Sequence, residues 1–168
     1  MTFTKILPVV LIAALTMACG YESSEPKPKT DGDTPSAENV AVTEKIAVKK
    51  YSAALQKAKD TGRNIVVFYG SDSCPWSKQM DEQALANGDV QAALRDVVYL
   101  RVIQGVNAEE FEAKWGKQTT PTIVTLDADG KPLGRKLSGV VKTADFLSYV
   151  GWAKTGEGPQ PGIATGGG

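Results

Sequence analysis

The chain has 168 residues, of which 42% are apolar, and its 19 lysines and arginines balance 19 acidic residues. That length suits one domain with a buried core, and the balanced charge argues against nucleic-acid binding, which needs a basic surface. The sequence has no histidine and two cysteines. These counts exclude a Ser-His-Asp triad, a histidine-ligated metal and a four-thiolate zinc or iron–sulfur site. We therefore expect no metal ion and no other cofactor.

The N-terminus has the features of an export signal over residues 1–18. Lys5 supplies a positive charge, and an uncharged, mostly apolar run covers residues 6–18. As a helix this run would span about 20 Å, which is short of the roughly 30 Å hydrocarbon core of a bilayer. The run ends in a segment that resembles a bacterial lipobox, Leu15-Thr16-Met17-Ala18-Cys19. Two outcomes are open: lipidation at Cys19, or ordinary signal cleavage, which the small residues Thr16 and Ala18 also permit.

Two further segments contain too few apolar residues to form a core. Residues 19–42 begin with the candidate lipidation site Cys19 and continue as a stretch rich in serine, proline and lysine, which predicts a flexible tether. Residues 156–168 are rich in glycine and proline, which predicts a disordered tail. The folded domain is therefore expected over residues 43–155.

Within that domain, helical and extended patterns alternate. A first helix is predicted to end at Gly62, and residues 65–69 form an apolar run typical of a buried strand. The patterns that follow predict a helix from Cys74 to about Asn87, a short helix over residues 90–95 capped by Asp89, and a strand over residues 97–103.

The second half of the domain continues the alternation. A capping box of Asn107 and Glu110 would open a helix that buries Phe111 and Trp115. Strands over residues 122–126 and 133–137 flank an Asp-Gly turn at residues 129–130, and a last helix begins at Thr143. Its predicted inner face consists of Phe146, Leu147 and Val150. The whole order predicts an α/β domain with parallel central strands and one antiparallel hairpin.

This order of motifs resembles the thioredoxin layout, in which a strand leads through a loop of small residues to Cys-Pro at a helix start, and Thr-Pro later opens a strand. Over about residues 43–154 the chain is similar to the short exported thioredoxin-like domains related to the C-terminal domain of the disulfide reductase DsbD. The resemblance implies a thioredoxin-like three-layer α/β/α sandwich with a mixed, mainly four-stranded sheet. The segments that carry it are Ala53-Ala54-Leu55-Gln56-Lys57-Ala58-Lys59, Ile65-Val66-Val67-Phe68-Tyr69, Cys74-Pro75-Trp76-Ser77-Lys78 and Thr119-Thr120-Pro121-Thr122.

The same resemblance implies which residues form the site. Cys74 takes the place of the nucleophilic cysteine, and Thr120 with Pro121 takes the place of the cis-proline edge where an extended substrate pairs. For Pro121, the alternative is a purely structural turn. Trp76 is open to two interpretations as well, a platform that faces the substrate or simple surface cover.

The position of Cys74 at a helix start predicts a reactive thiol. The positive end of the helix dipole and the unpaired N–H groups favour the thiolate, so we expect the pKa of Cys74 to be lowered. Lys78 would add to this effect, and Asp72 would oppose it.

Three residues depart from the family pattern. Ser77 stands where the family has its second, resolving cysteine, and Phe68 stands where thioredoxins bury an aspartate that moves the proton of that thiol. Ser73 replaces a frequent tryptophan before the cysteine. Without a second thiol, a mixed disulfide at Cys74 cannot be resolved within the site. Ser77 would instead donate a hydrogen bond to the thiolate.

These features predict an exported, membrane-tethered, monomeric protein that exchanges or isomerises disulfides through Cys74. Its partners would be cysteine-containing envelope proteins or small thiols, and its lipid would hold it at the membrane on the periplasmic side. Two alternatives from other classes are a non-catalytic module that binds a peptide or holds client thiols in the same groove, and a degenerate domain with an inert cysteine.

Overall fold

The computed structural model describes residues 45–165 of the chain. The predicted export signal, the candidate lipidation site Cys19 and the predicted tether lie outside these residues. Among residues 45–165, no helix combines the length and the apolar character needed to cross a membrane.

Five α-helices and four β-strands make up the described domain. The helices are α1 (Tyr51–Thr61), α2 (Pro75–Met80), α3 (Gly88–Leu94), α4 (Glu109–Trp115) and α5 (Thr143–Thr155). The strands are β1 (Ile65–Gly70), β2 (Val98–Ile103), β3 (Thr122–Leu126) and β4 (Pro132–Ser138). A π-helical turn, Asp81–Leu85, continues α2 directly, so the predicted helix from Cys74 to about Asn87 consists of two helical forms.

The strands form one mixed sheet in the order β2-β1-β3-β4. Strands β1 and β2 are parallel, whereas β3 is antiparallel to both β1 and β4. The prediction of parallel central strands is therefore wrong at the β1–β3 pair. The physical reason is that an alternation of helices and strands does not encode the direction in which the chain re-enters the sheet.

Each face of the sheet is covered by helices. Side chains alternate along β1, so that Ile65, Val67 and Tyr69 belong to one buried cluster and Val66 and Phe68 to another. The first cluster includes residues of α1 and α4, and the second includes residues of α2, α3 and α5. This arrangement confirms the predicted three-layer α/β/α fold with a mixed four-stranded sheet.

Two predicted helix caps differ from the observed ones. Helix α3 is capped by Asn87, whose Oδ1 accepts the N–H groups of Asp89 and Val90 at 3.0 and 3.2 Å, so Asp89 is not the cap. Asn107 does not form a capping box with Glu110. Its Oδ1 accepts the N–H of Ile103 at 2.6 Å, and the Glu110 carboxylate instead accepts hydrogen bonds from the N–H and hydroxyl of Ser52. The side chains of Asn107 and Glu110 thus bind other groups and not each other's backbone.

The last helix buries a different set of residues from the one predicted. Phe146 and Val150 are buried as expected, and Tyr149 and Ala153 complete the face, whereas Leu147 is only partly buried. The Tyr149 hydroxyl accepts a hydrogen bond from Thr125 at 2.7 Å, which satisfies the polar end of a fully buried side chain.

Residues 156–165 contain no helix or strand, yet they pack against the domain. Ile163 is 8% exposed and belongs to the cluster beneath α5. The Gln160 side chain accepts the N–H of Arg135 at 2.6 Å and donates to the Arg135 carbonyl at 3.0 Å. The structure therefore differs from the predicted disordered tail over these residues, because one apolar side chain and one amide anchor a segment whose average composition is that of a linker.

We expect Ile163→Ala to lower the free energy of unfolding by about 2 kcal/mol, at the lower end for an isoleucine truncation because the residue lies at the edge of the core. Denaturant unfolding of the two proteins measures this difference. The exposed neighbour Thr165→Ala is the control and should leave stability unchanged. Equal stability of Ile163→Ala and wild type would show that the segment contributes nothing to the fold.

Candidate active site

Cys74 lies where the loop after β1 turns into α2. Its backbone is extended, with φ −90° and ψ 117°, and its N–H donates to the Ser71 carbonyl at 3.1 Å. Its own carbonyl accepts the N–H groups of Ser77 and Lys78 at 3.1 and 3.2 Å. Pro75 occupies the first helical position, where the missing N–H costs no hydrogen bond. Cys74 is therefore the residue that caps α2, and its side chain is partly buried.

The segment before β3 lies opposite this sulfur. The Thr120–Pro121 peptide bond is cis, and the Cys74 thiol donates to the Thr120 carbonyl with 3.4 Å between Sγ and O. Pro121 is buried, and its carbonyl accepts the N–H of Gly139 at 2.9 Å, just after β4. The structure thus brings together three of the predicted site residues across the gap between α2 and β3.

Ser77 lies under the cysteine. It is 2% exposed, and its Oγ accepts the N–H of Ser71 at 3.2 Å. Its own hydroxyl and backbone N–H hydrogen-bond to the Cys74 sulfur. Position 77 therefore faces Cys74, as the Cys-x-x-Ser spacing predicts, and the serine ties the sulfur to the loop after β1.

Phe68 lies beside Gly70 and Ser77, beneath the site. It is fully buried, and a Cβ at Gly70 would come within 2.6 Å of its ring and 3.4 Å of the Ser77 Oγ. Gly70 therefore leaves the room that the Phe68 ring occupies. An apolar ring takes the position from which a buried carboxylate would exchange a proton with a thiol at position 77.

The pKa of Cys74 is lowered from its ordinary value. Burial alone would raise it, but hydrogen bonds to the sulfur from the Thr120 side chain, from the N–H and hydroxyl of Ser77 and from the N–H of Trp76 outweigh burial. The predicted direction is thus matched, and the causes that lower the pKa are these short-range hydrogen bonds. Neither Lys78 nor Asp72, whose opposed charges the sequence suggested, is among the main causes.

A buried ion pair holds the far end of this helix. Arg101 of β2 makes two hydrogen bonds to Asp81 at the start of the π-helical turn, one of them 2.9 Å from Nη2 to Oδ2. The guanidinium carbon also lies 5.4 Å from the centre of the Phe68 ring. Burial would lower the pKa of Arg101, but the hydrogen bond and the charge of Asp81 together with the interaction with Tyr99 outweigh burial, so the pKa is raised. The pair links the sheet beneath the site to the helix that carries Cys74.

Trp76 is the exposed member of the predicted site, with 48% of its surface accessible. It lines a groove together with Val140 in the loop after β4 and with Ala164 and Thr165 near the C-terminus. No sequence motif predicts a role for the last three of these residues. Ile163 was their only sequence signal, a single apolar residue in a stretch of glycine and proline.

Residues 45–165 contain no cluster of three or more cysteine, aspartate or glutamate side chains that could hold a metal ion. Cys74 is the free cysteine of this part of the chain. The chemistry that the described site can support is therefore that of one thiol with hydrogen-bond donors around it.

A family model places this arrangement among known domains. The model described as a thioredoxin-like domain matches residues 51–153, which is more than half of the chain. The chain belongs to the thioredoxin-like domain family. The matched residues include the whole sheet, Cys74 and Pro121, and the resemblance predicted from the sequence is confirmed.

Individual thioredoxin-like relatives agree with this assignment. The chain is 25% identical over 122 residues to the thiol:disulfide interchange protein DsbD of Ralstonia nicotianae, a match that covers 71% of this chain and 20% of that protein. It spans about a fifth of the length of the curated relatives that it matches. A thioredoxin from Thermus thermophilus is 27% identical, with a TM-score of 0.52 over 60% of this chain and 81% of that one. The structure titled DsbH oxidoreductase shares the fold at 22% identity, with a TM-score of 0.53 over 64% of this chain and 86% of that one.

Proposed function

We propose that this thioredoxin-like domain carries out monothiol disulfide exchange or isomerisation on protein thiols through Cys74. The observation that supports the proposal is the place of Cys74 at the start of α2, with its sulfur 3.4 Å from the Thr120 carbonyl beside the cis Thr120–Pro121 bond and with hydrogen-bond donors of Ser77 and Trp76 around it. Such donors stabilise the thiolate, which is the form that attacks a disulfide. The name of the relative DsbD, a thiol:disulfide interchange protein, refers to chemistry of the same class.

The first step is an exchange that conserves electrons. The Cys74 thiolate attacks one sulfur of a client disulfide, a new disulfide forms between Cys74 and the client, and the second client sulfur leaves as a thiolate. Ser77 and the N–H groups at the start of α2 hold the Cys74 sulfur and release it as its negative charge passes to the leaving group. The main chain at Thr120 is the edge along which an extended client would pair.

The second step requires a thiol from outside the site. The chain has two cysteines, and Ser77 occupies the position of a resolving thiol. A client thiolate, or a small thiol such as glutathione, would attack the mixed disulfide and return Cys74 to its thiolate form. Release of Cys74 by a different thiol of the same client gives isomerisation. Reduction of the client consumes two external thiols, the first to release Cys74 and the second to free the client sulfur, and these two leave as their own disulfide.

We also propose that this exchange takes place in the cell envelope, on the periplasmic side. The proposal rests on the export signal in residues 1–18 and on the lipobox-like segment that ends at Cys19. A lipid at Cys19, followed by a flexible stretch over residues 20–42, would let a monomeric domain reach cysteine-containing proteins near the membrane.

The rate of Cys74 alkylation as a function of pH tests the proposed chemistry. We expect a midpoint below the ordinary value of a cysteine thiol, because only the thiolate reacts and the folded site lowers its pKa. Reactivity should therefore persist above this lowered midpoint and fall away as the pH drops through it. Ser77→Ala removes one hydrogen bond from the sulfur and should move the midpoint upward.

Ser73→Ala is the matched control for this experiment. Its hydroxyl pairs with the Ser71 hydroxyl at 2.9 Å, so the same substitution in the same loop should leave the midpoint unchanged. A wild-type midpoint at or above the ordinary cysteine value would remove the basis for exchange chemistry. It would favour the alternative of a non-catalytic module that binds a peptide in the same groove.

A further inference from the structure

A groove of about 450 Å³ runs beside the Cys74 site. Its lining comes from three parts of the chain: α2 with the π-helical turn, the loop after β4, and the C-terminal segment. We call it the tail groove, and its lining includes Trp76, Gln83, Val140, Lys142, Ala164 and Thr165. Gln79 lies on the same wall and donates to the Gln83 side chain at 3.2 Å.

Defined contacts place the C-terminal segment beside this groove. Ile163 is buried in the core directly before Ala164, and the Gln160 side chain makes two hydrogen bonds with the main chain of Arg135. A Cβ at Gly134 would come within 2.5 Å of Gln160 Oε1 and within 2.8 Å of the Trp152 ring. The segment therefore fits closely against the start of β4, and its last described residues are held at the groove.

The tail groove is continuous with the proposed exchange site. Trp76 follows Cys74 by two residues and is half exposed. On the side of the site formed by Thr120 and Pro121, the N–H of Gly139 donates to the Pro121 carbonyl, and Val140 is the next residue. A client chain that lies along Thr120 with its cysteine at Cys74 would therefore pass the mouth of the groove.

We propose that residues 156–165 form a substrate-positioning wall, and that the tail groove takes up an apolar side chain next to the reactive cysteine of a client peptide. The inference rests on the proposed exchange function and adds a substrate class to it. Trp76, Val140 and Ala164 offer the apolar contact. Lys142 is the charged residue among those that line the groove, and it disfavours clients with a basic residue at that point.

Three kinds of disulfide probe separate this inference from the exchange chemistry. The first is 5,5′-dithiobis(2-nitrobenzoate), which has no peptide. The others are single-cysteine peptides activated as mixed disulfides with thionitrobenzoate. The second kind has only glycine and serine around the cysteine. The third kind is a series in which one residue near the cysteine is replaced by leucine, at a different position in each peptide. In every case the Cys74 thiolate forms a disulfide with the probe, the probe's own disulfide breaks, and coloured thionitrobenzoate leaves with the electron pair.

With the full chain, we expect the best leucine peptide to react about tenfold faster than the glycine-serine peptide, the gain for burying roughly half of an apolar side chain. Ala164→Trp fills the groove and should abolish that preference while leaving the peptide-free probe unchanged. Ala53→Trp is the matched control, because it makes the same substitution at an exposed residue of α1 outside the lining. It should keep the preference, and circular dichroism checks that both variants are folded.

Each other outcome overturns one of the two proposals. If no probe reacts at neutral pH, the exchange function fails. If all probes react but leucine gives no preference, or Ala164→Trp keeps it, the positioning wall fails. If wild type forms a dimer that Ala164→Trp dissociates, a second copy of the chain occupies the groove and the client proposal is wrong. Lys142→Glu supplies a second test, since it should favour a leucine peptide with an adjacent lysine over one with an adjacent glutamate.

Discussion

Oxidised Ser77→Cys protein is expected to contain an intramolecular disulfide between positions 74 and 77 and to reduce insulin with dithiothreitol as the donor. Residues three apart share a helix face, and Ser77 already hydrogen-bonds to the Cys74 sulfur. A second sulfur at position 77 should therefore reach bonding distance with little backbone movement. The free-thiol count of the oxidised, folded protein measures the disulfide, and insulin turbidity measures the new activity.

Ser73→Cys is the matched control, because it adds a thiol next to Cys74 at a position that does not share its helix face. This variant should keep the thiols at positions 73 and 74 free and should not reduce insulin. If Ser77→Cys keeps the thiols at positions 74 and 77 free while folded, Cys74 does not hold the nucleophile position and the site assignment fails. Wild-type protein depends on an external thiol to resolve the mixed disulfide, so it should reduce insulin more slowly than Ser77→Cys at the same dithiothreitol concentration.

The activity of Ser77→Cys should remain modest because of Phe68. The ring fills the space next to Gly70 and position 77, so no carboxylate is available to take the proton of the new thiol. The buried space instead holds the Arg101 guanidinium over the Phe68 ring. An acidic residue at position 68 would therefore enter beside a cation, which is a more favourable setting than an apolar strand alone.

Much of the fold follows from local patterns in the sequence. Strands β1 and β3 could be placed because each is a short apolar run between turn residues, and α1 ends at Gly62 because that residue adopts a left-handed conformation, with φ 66°. The orientation of β3 could not be placed in this way, since it depends on the whole path of the chain between β2 and β3. The predicted cap of α3 was wrong because Asn87 holds that position. The predicted capping box of α4 was wrong because Asn107 and Glu110 bind other groups.

The site could be predicted only in part. The positions of Cys74, Ser77 and Pro121 follow from motif spacing, because the helix start and the strand start are local features. The role of Arg101 could not be seen, since its partner Asp81 lies 20 residues away and a charged residue in an apolar strand has no local signature. The tail groove depends on Ile163 and Gln160, whose contacts are made with distant strands and helices.

Removing one partner of the Arg101–Asp81 pair is expected to give a large loss of stability. The two side chains are 9% and 20% exposed, and arginine does not lose its charge in proteins. Asp81→Ala therefore leaves a buried, unpaired cation and should lower the free energy of unfolding by about 3 kcal/mol. Denaturant unfolding measures this loss when the free energy of unfolding falls with denaturant concentration at the same slope in both proteins.

Two further variants show that the loss comes from the unpaired charge. Replacing both partners, Arg101→Met with Asp81→Ala, removes the charge together with its counterion and should recover most of the loss, because a buried pair is worth far less than the cost of breaking it. Asp96→Ala breaks the exposed pair with Lys154 and should leave stability unchanged. If the double variant is as unstable as Asp81→Ala, the loss reflects a cavity at the π-helical turn, and the pair does not explain how the helix that carries Cys74 is held to the sheet.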